Sequence, residues 1–188
     1  PIISELMDCG YVSYFPMIAT IILFYFFRRY DEFQRTVFVI LASFFTYYVI
    51  FDLVPVVGPT FYYKAIGLHN VAQGVFPNVH DYFNLHQDCL PSPGYVQGFF
   101  YDLVEDAKAA GERPTAAFPS SHVGVATICM LFACQAKNRT LLLSLLPFYV
   151  FLCMATVYIQ AHYAIDVVAG FITGVAFYFI FKWLYPQR

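Results

Sequence analysis

Two short histidine-containing segments carry the residue types that could do chemistry. Residues 118–122 read Phe-Pro-Ser-Ser-His at the predicted start of an apolar helix. Ser120 or Ser121 can cap that helix. The free amides of its first turn, with the positive end of the helix dipole, form a site for a phosphate. The segment therefore predicts a phosphate site beside His122, with an ordinary helix cap and an incidental histidine as the alternative.

The second segment joins His162 to Asp166, four residues apart and thus on one face of a predicted helix. An aspartate in that position accepts the proton of one ring nitrogen and leaves the other nitrogen free to attack. A hydrogen-bonded structural pair is the alternative. Because ionisable groups at membrane depth are costly and usually mark function, we predict a nucleophilic histidine here.

A metal ion competes for any set of two histidines and an aspartate. The helices of His122 and His162 contain no third close His or Cys, and the loop histidines are irregularly spaced, at His69, His80 and His86. A haem between the two helical histidines is disfavoured by the neighbouring Asp166 and the serine pair. We predict no metal and no other cofactor.

The composition places both segments in a bilayer. The chain has 188 residues, of which 60% are hydrophobic and 12% charged, about half the charged fraction of a soluble domain. Runs of about the length that crosses a hydrocarbon core occupy residues 11–27, 36–54, 122–136, 140–158 and 162–184. We predict an all-α, polytopic transmembrane helical bundle with about five spanning helices, forming one catalytic domain over residues 1–188. Since the sequence begins at Pro1 without methionine, we expect a sixth helix in the full chain.

A long polar stretch between the second and third runs, up to about residue 119, lies outside the lipid. Within it, apolar residues at helical spacing face away from three acidic ones and predict an amphipathic helix. They are Val96, Phe99, Phe100, Leu103, Val104 and Ala107. Two placements remain open, on the membrane surface or packed over the bundle. Of the five cysteines, only Cys9 and Cys89 are candidates for a disulfide.

The positive charges predict the orientation, because short cytoplasmic loops carry an excess of Lys and Arg. Seven of the ten fall on one side, Arg28, Arg29, Arg35, Lys137, Arg139, Lys182 and Arg188, against Lys64, Lys108 and Arg113 on the other. The long loop, His122 and His162 are therefore expected together on the extracytoplasmic face. The net charge of −2, without a basic stripe, argues against a nucleic-acid partner.

The two segments resemble motifs of the type 2 phosphatidic acid phosphatases. Residues 119–122 resemble their Pro-Ser-Gly-His motif, and residues 162–166, followed by Val167 and Gly170, resemble their final His-x-x-x-Asp motif. The resemblance implies metal-independent transfer through a phosphohistidine. His162 is then the nucleophile, Asp166 its orienting partner and His122 the acid, while Ser120 and Ser121 hold the phosphate oxygens with their backbone amides.

The chain departs from that pattern in its cations. Ala155-Thr156 replaces a Ser-Arg pair, and the only counterpart of a Lys…Arg-Pro motif runs from Lys108 to Arg113-Pro114. We predict Arg113 and Lys108 as the remaining phosphate-binding cations. Fewer cations suit a phosphodiester, which carries less charge than a monoester. Asp52 either pairs structurally, which we favour, or binds a head-group hydroxyl.

Residues 156–158 and 55–59 are similar to the branch that contains inositol phosphorylceramide synthases. That similarity implies transfer of a phosphorylated head group from a phospholipid to a ceramide acceptor. A phosphatase acting on lipid phosphates is the first alternative. The others, from different classes, are a non-catalytic lipid-binding membrane protein and a channel or transporter with buried ionisable groups.

Overall fold

A computed structural model describes residues 1–186, and over that range the chain is helical, as predicted. Its ten helices are α1 Ile2–Val12, α2 Tyr14–Arg28, α3 Tyr30–Leu53, α4 Pro59–Ile66, α5 Leu68–Ala72, α6 Tyr82–Leu85, α7 Phe99–Gly111, α8 Ser121–Gln135, α9 Arg139–Tyr158 and α10 Ala164–Leu184. An isolated parallel bridge joins Val56 to Ala116. Arg188, one of the seven cations used for orientation, lies outside the described residues.

Three helices, α3, α9 and α10, are long and apolar enough to cross a membrane. The pair α1 and α2, bent by 47°, counts as a fourth span if taken together. The protein is thus a multi-pass membrane protein. The run predicted at 122–136 forms α8, but its 15 residues extend only about 22 Å, less than the roughly 30 Å of a hydrocarbon core. Two thirds of its residues are buried inside the bundle, so it serves as the central helix.

The first helical run differs from its prediction at its start. Helix α1 extends back to Ile2, and Ser13 separates it from α2. The Ser13 hydroxyl donates to the Gly10 carbonyl at 2.6 Å, a back-bond typical of bent helices. The prediction missed residues 2–10 of this helix because Glu5 lies within them, and a charged residue argues against a spanning helix. The Glu5 carboxylate instead accepts from the amides of Phe100 and Tyr101 at the start of α7.

Helix α7 matches the amphipathic helix predicted in the long loop, and it packs over the bundle. Helix α7 packs against α1 and buries Tyr101, Val104 and Lys108, whereas Phe99 is 69% exposed. The buried face is therefore rotated from the predicted one. Contact of α7 with the membrane surface stays a prediction. Cys9 and Cys89, like the other three cysteines, are free.

A polar network ties α3, α8 and α10 together at the end of the bundle remote from the histidines. Arg35 donates to the Lys182 carbonyl at 2.6 Å, and the Lys182 ammonium donates to Gln135 Oε1 at 2.7 Å. Arg29 pairs with Glu32 in the same region. These cations lie at one end, as the charge count expects, while the assignment of that end to the cytoplasm stays a prediction.

Candidate active site

Three loop segments meet at one end of the bundle and position the catalytic candidates. The Gly58 amide donates to the Pro114 carbonyl at 3.0 Å, and the Ala117 amide donates to the Val56 carbonyl at 3.1 Å. The segment after α3 also contacts the turn before α10, because a Cβ at Gly58 would lie 3.1 Å from the Ala161 carbonyl oxygen. Chain segments far apart in sequence are therefore fixed against one another around the histidines.

His162 lies in the turn before α10 rather than in the helix, which begins at Ala164. Its amide donates to the Thr156 carbonyl at 2.9 Å, so the end of α9 sets its position. Its ring is 5% exposed. Nδ1 lies 2.7 Å from the Ala117 carbonyl oxygen, which can only accept. Nδ1 therefore carries the proton, and Nε2 retains a free lone pair.

Asp166 lies beside the ring of His162 but does not accept its proton, so the predicted hydrogen bond between His162 and Asp166 was wrong. Its Oδ2 lies 3.7 Å from His162 Nδ1 and accepts from the Tyr163 amide at 2.8 Å, closing a cap at the start of α10. The Ala117 carbonyl, not the aspartate, accepts the ring proton directly. Asp166 contributes a buried negative charge beside the imidazole, which stabilises a cationic ring.

His122, the second residue of α8, faces His162 across the same end of the bundle. The two ring centroids are 5.9 Å apart, with the planes at 63°. The ring centroid of Tyr11, which stacks on His122, lies 4.9 Å from that of the imidazole, and the centroid of Tyr14 lies 4.6 Å from it. The imidazole thus packs against two aromatic rings. His122 Nδ1 is buried without a hydrogen-bond partner among the described residues. The predicted convergence of the two histidines is observed.

The two adjacent serines occupy different environments. Ser120 is fully buried, and its hydroxyl caps α8 by accepting from the Val123 amide at 3.4 Å. Ser121 lines the cavity with His122. Both residues begin the helix, where backbone amides have no acceptor within it. The Ser120 amide donates to the Asp166 carbonyl at 3.0 Å, so the phosphate-binding groups that remain are the Ser121 hydroxyl and the amides of Ser121 and His122. The Ser120 side chain faces the packed interior.

Separate effects are therefore expected from the two serine-to-alanine changes. Ser120→Ala removes the cap and should lower the free energy of unfolding by about 1 kcal/mol. Ser121→Ala should leave stability unchanged and lower turnover by about 10-fold, the effect of losing one hydrogen bond to a charged group. Thermal unfolding in detergent and turnover on the same preparations measure both. Equal losses in both variants would contradict the assignment.

The two predicted cations are also separated. Arg113 lines the cavity. Lys108 does not line the cavity. It is buried and donates to the Leu90 carbonyl, the Ser92 hydroxyl and Glu105 Oε1 at 3.0, 3.1 and 3.0 Å. Burial would raise the pKa of Glu105, but hydrogen bonds from Ser92 and Lys108 hold that pKa below its usual range. All three ammonium protons of Lys108 are thus used within the loop.

The cavity between these elements has a volume of about 540 Å³, the size of a site for a small molecule or part of a lipid. Its polar lining includes both histidines, Glu112, Arg113 and Asp52. Much of the remaining wall is apolar, with Val12, Phe15, Phe44, Phe51, Phe61 and Leu103. An apolar wall beside a polar end suits an amphiphile. Within residues 1–186, no group of three or more His, Cys, Asp or Glu side chains could hold a metal ion.

Tyr11, Tyr14 and Glu112 are cavity residues that the sequence did not single out. Tyr11 donates to Glu112 Oε1 at 3.0 Å, across 101 residues of sequence. Aromatic residues are so frequent in this chain, with 16 Tyr and 22 Phe, that no single one carries a signal. Glu112 could have been suspected only from its place next to Arg113.

These features define a class, a multi-pass helical membrane protein with paired histidines enclosed at one end of its bundle. The sequence model of the PAP2 superfamily matches residues 1–180, so the chain belongs to that superfamily. Its activity is accordingly of the PAP2 phosphatase or phosphotransferase type. No curated protein and no solved structure gives a significant match.

Proposed function

We propose that the protein transfers a phosphorylated head group from a phospholipid to a lipid hydroxyl, without a metal, through a phosphohistidine at His162. One observation carries the proposal. His162 donates Nδ1–H to the Ala117 carbonyl at 2.7 Å inside a cavity that also holds His122. A neutral imidazole with one nitrogen committed presents the other as a nucleophile.

The first step is a displacement at phosphorus. The Nε2 lone pair of His162 forms the N–P bond, and the bond from phosphorus to the lipid alkoxide oxygen breaks as His122 gives that oxygen its proton. Burial and the charge of His162 lower the pKa of His122 to about 3, so this step requires the bound phosphate anion to stabilise the protonated ring. The imidazolium character of His162 is stabilised by Asp166, 3.7 Å away. The amides at the start of α8, Ser121 and Arg113 hold the phosphoryl oxygens. Diacylglycerol leaves.

The second step restores the enzyme. His122, now neutral, accepts the proton of an acceptor hydroxyl, whose oxygen attacks phosphorus as the N–P bond breaks. Water and a lipid hydroxyl can both serve as acceptor, so hydrolysis and transfer share the intermediate. The phosphatase alternative, with release of inorganic phosphate, uses the same residues.

The charge of the cavity supports a phosphodiester over a monoester. Arg113 lines the cavity, while the ammonium of Lys108 is satisfied by loop acceptors. A dianion needs more compensation than a monoanion, and Glu112 adds a carboxyl to the same wall. Head-group transfer of the inositol phosphorylceramide type, with ceramide as acceptor, therefore fits better than hydrolysis of phosphatidic acid. The cations at the opposite end of the bundle support an extracytoplasmic site.

To test the proposal, the purified protein in detergent is assayed with and without chelator. One reaction contains phosphatidic acid, and another contains phosphatidylinositol plus ceramide. Mass spectrometry should find phosphoinositol-ceramide and diacylglycerol in the second reaction. Free phosphate in the first reaction alone would favour the phosphatase alternative. Absence of any product in both, or loss of activity on adding chelator, would overturn the proposed mechanism.

A further inference from the structure

We infer that Glu112 determines substrate specificity by binding a hydroxyl group that the substrate carries next to its phosphate. The inference rests on the proposed function and names a feature of its substrate. Glu112 lines the cavity together with His122, His162 and Arg113. A carboxylate at that wall accepts hydrogen bonds and repels phosphate, so the group it contacts must be a donor other than the phosphate.

Glu112 is held in place but left incomplete. Tyr11 donates to its Oε1 at 3.0 Å, whereas Oε2 is buried with no hydrogen-bond partner among residues 1–186. Buried carboxylate oxygens are ordinarily satisfied, because an unsatisfied one costs about 1–3 kcal/mol or more. The open acceptor is therefore available for a group that the substrate brings.

No Lys or Arg of residues 1–186 forms an ion pair with this carboxylate. The ion pairs found in that range involve other carboxylates. Lys108, one turn earlier in the chain, donates its ammonium protons to Leu90, Ser92 and Glu105 instead. Burial raises the pKa of Glu112, against the opposing effects of Lys108, the Tyr11 hydroxyl and His162.

The hydrogen bond from Tyr11 gives this position a structural reason to carry an acceptor, but not a charge. Glu112 directly follows the last residue of α7, and a negative charge at the carboxyl end of a helix is disfavoured by the helix dipole. A residue that costs stability in the unliganded fold and faces the reacting histidines is typical of a functional site. Stability alone does not explain Glu112.

A hydroxyl fits this position better than a quaternary ammonium. An ammonium of that kind is bound by free faces of aromatic rings. Tyr11, the ring in contact with Glu112, is stacked on His122 at 4.9 Å between centroids, so that face is not free. What remains is one carboxyl oxygen within a polar corner, which suits a single O–H donor of a polyol head group.

The test measures the release of diacylglycerol from three lipid donors, phosphatidylinositol, phosphatidic acid and phosphatidylcholine. Wild type and Glu112→Gln are compared on each donor. For phosphatidylinositol, kcat/KM should fall by about 10- to 100-fold, the effect of losing a hydrogen bond to a charged acceptor, with most of the change in KM. Phosphatidic acid should lose less than about 3-fold or gain, because a repelling charge is removed. Asp106→Asn, on the exposed face of α7, is the matched control.

Two further measurements separate specificity from folding. Glu112→Gln keeps an acceptor for Tyr11, so its melting temperature should stay at or above that of wild type. Tyr11→Phe should shift donor preference in the same direction by a smaller factor. Equal losses on all three donors, a lower melting temperature with unchanged preference, or a selective loss of phosphatidylcholine would each overturn the inference.

A binding assay keeps the inference testable if the proposed reaction fails. In the His162→Asn background, phosphatidylinositol micelles should raise the melting temperature more than phosphatidic acid micelles do. Adding Glu112→Gln should remove that difference. Persistence of the difference would refute the role of Glu112, whereas absence of turnover in wild type would refute the proposed reaction alone.

Discussion

Replacing His162 with asparagine should lower phosphotransfer by at least about 10³-fold, the scale of losing a catalytic nucleophile, without unfolding the protein. In wild type, His162 Nδ1 lies 2.7 Å from the Ala117 carbonyl oxygen. Asparagine can place an amide N–H near the position of Nδ1 and so preserve this hydrogen bond. It has no nitrogen lone pair that can attack phosphorus. The change therefore separates the nucleophile from the hydrogen bond that holds the loops together.

Turnover and thermal unfolding of the same preparation measure the effect. His69→Asn provides the control, since His69 is exposed on α5 and does not line the cavity. Wild type incubated with labelled phospholipid and quenched in alkali should retain an acid-labile phosphoryl group that His162→Asn lacks. Activity of the variant within about 10-fold of wild type would exclude a phosphohistidine at this position.

The histidines could be predicted to meet, whereas the groups that orient them could not. His122 and His162 each lie beside the end of an apolar run, and the parity of the crossings places both on one side. The acceptor of the His162 proton is a backbone carbonyl, at Ala117. Every residue has a backbone carbonyl, so the sequence cannot indicate which one accepts the proton. The four-residue spacing instead favoured Asp166 as the acceptor.

The distinction between neighbouring polar residues depends equally on tertiary contacts. Ser120 and Ser121 have the same chemistry, and only the packing of α8 on α10 directs one inward and the other to the cavity. Lys108 donates to Leu90 and Ser92 and is therefore not available to a phosphate. These two residues lie in a loop whose conformation could not be predicted from the sequence. Composition and periodicity do predict the all-helical bundle, because burial in lipid forces backbone hydrogen bonds into helices.

The contact of α8 with α10 sets the separation of the two histidine segments, and Gly174→Leu should disrupt it. A Cβ at Gly174 would lie 2.5 Å from the Gly124 carbonyl oxygen, and one at Gly170 would lie 2.5 Å from that of Ser120. Small residues four apart on each helix thus let the backbones touch, as in membrane helix pairs generally. The clash is with backbone, which no rotamer change can relieve.

We expect Gly174→Leu to destabilise the fold by at least about 3 kcal/mol, the upper range for overpacking, and to lower the melting temperature in detergent by roughly 6–12 °C. Gly174→Ala should be intermediate, although alanine favours helix by about 1 kcal/mol elsewhere. Ala176→Leu, exposed on the same helix, should change neither stability nor turnover. Because displacing α8 moves His122 away from His162, turnover in Gly174→Ala should fall more steeply than stability. A melting temperature equal to that of Ala176→Leu would show that the α8–α10 contact does not hold the site together.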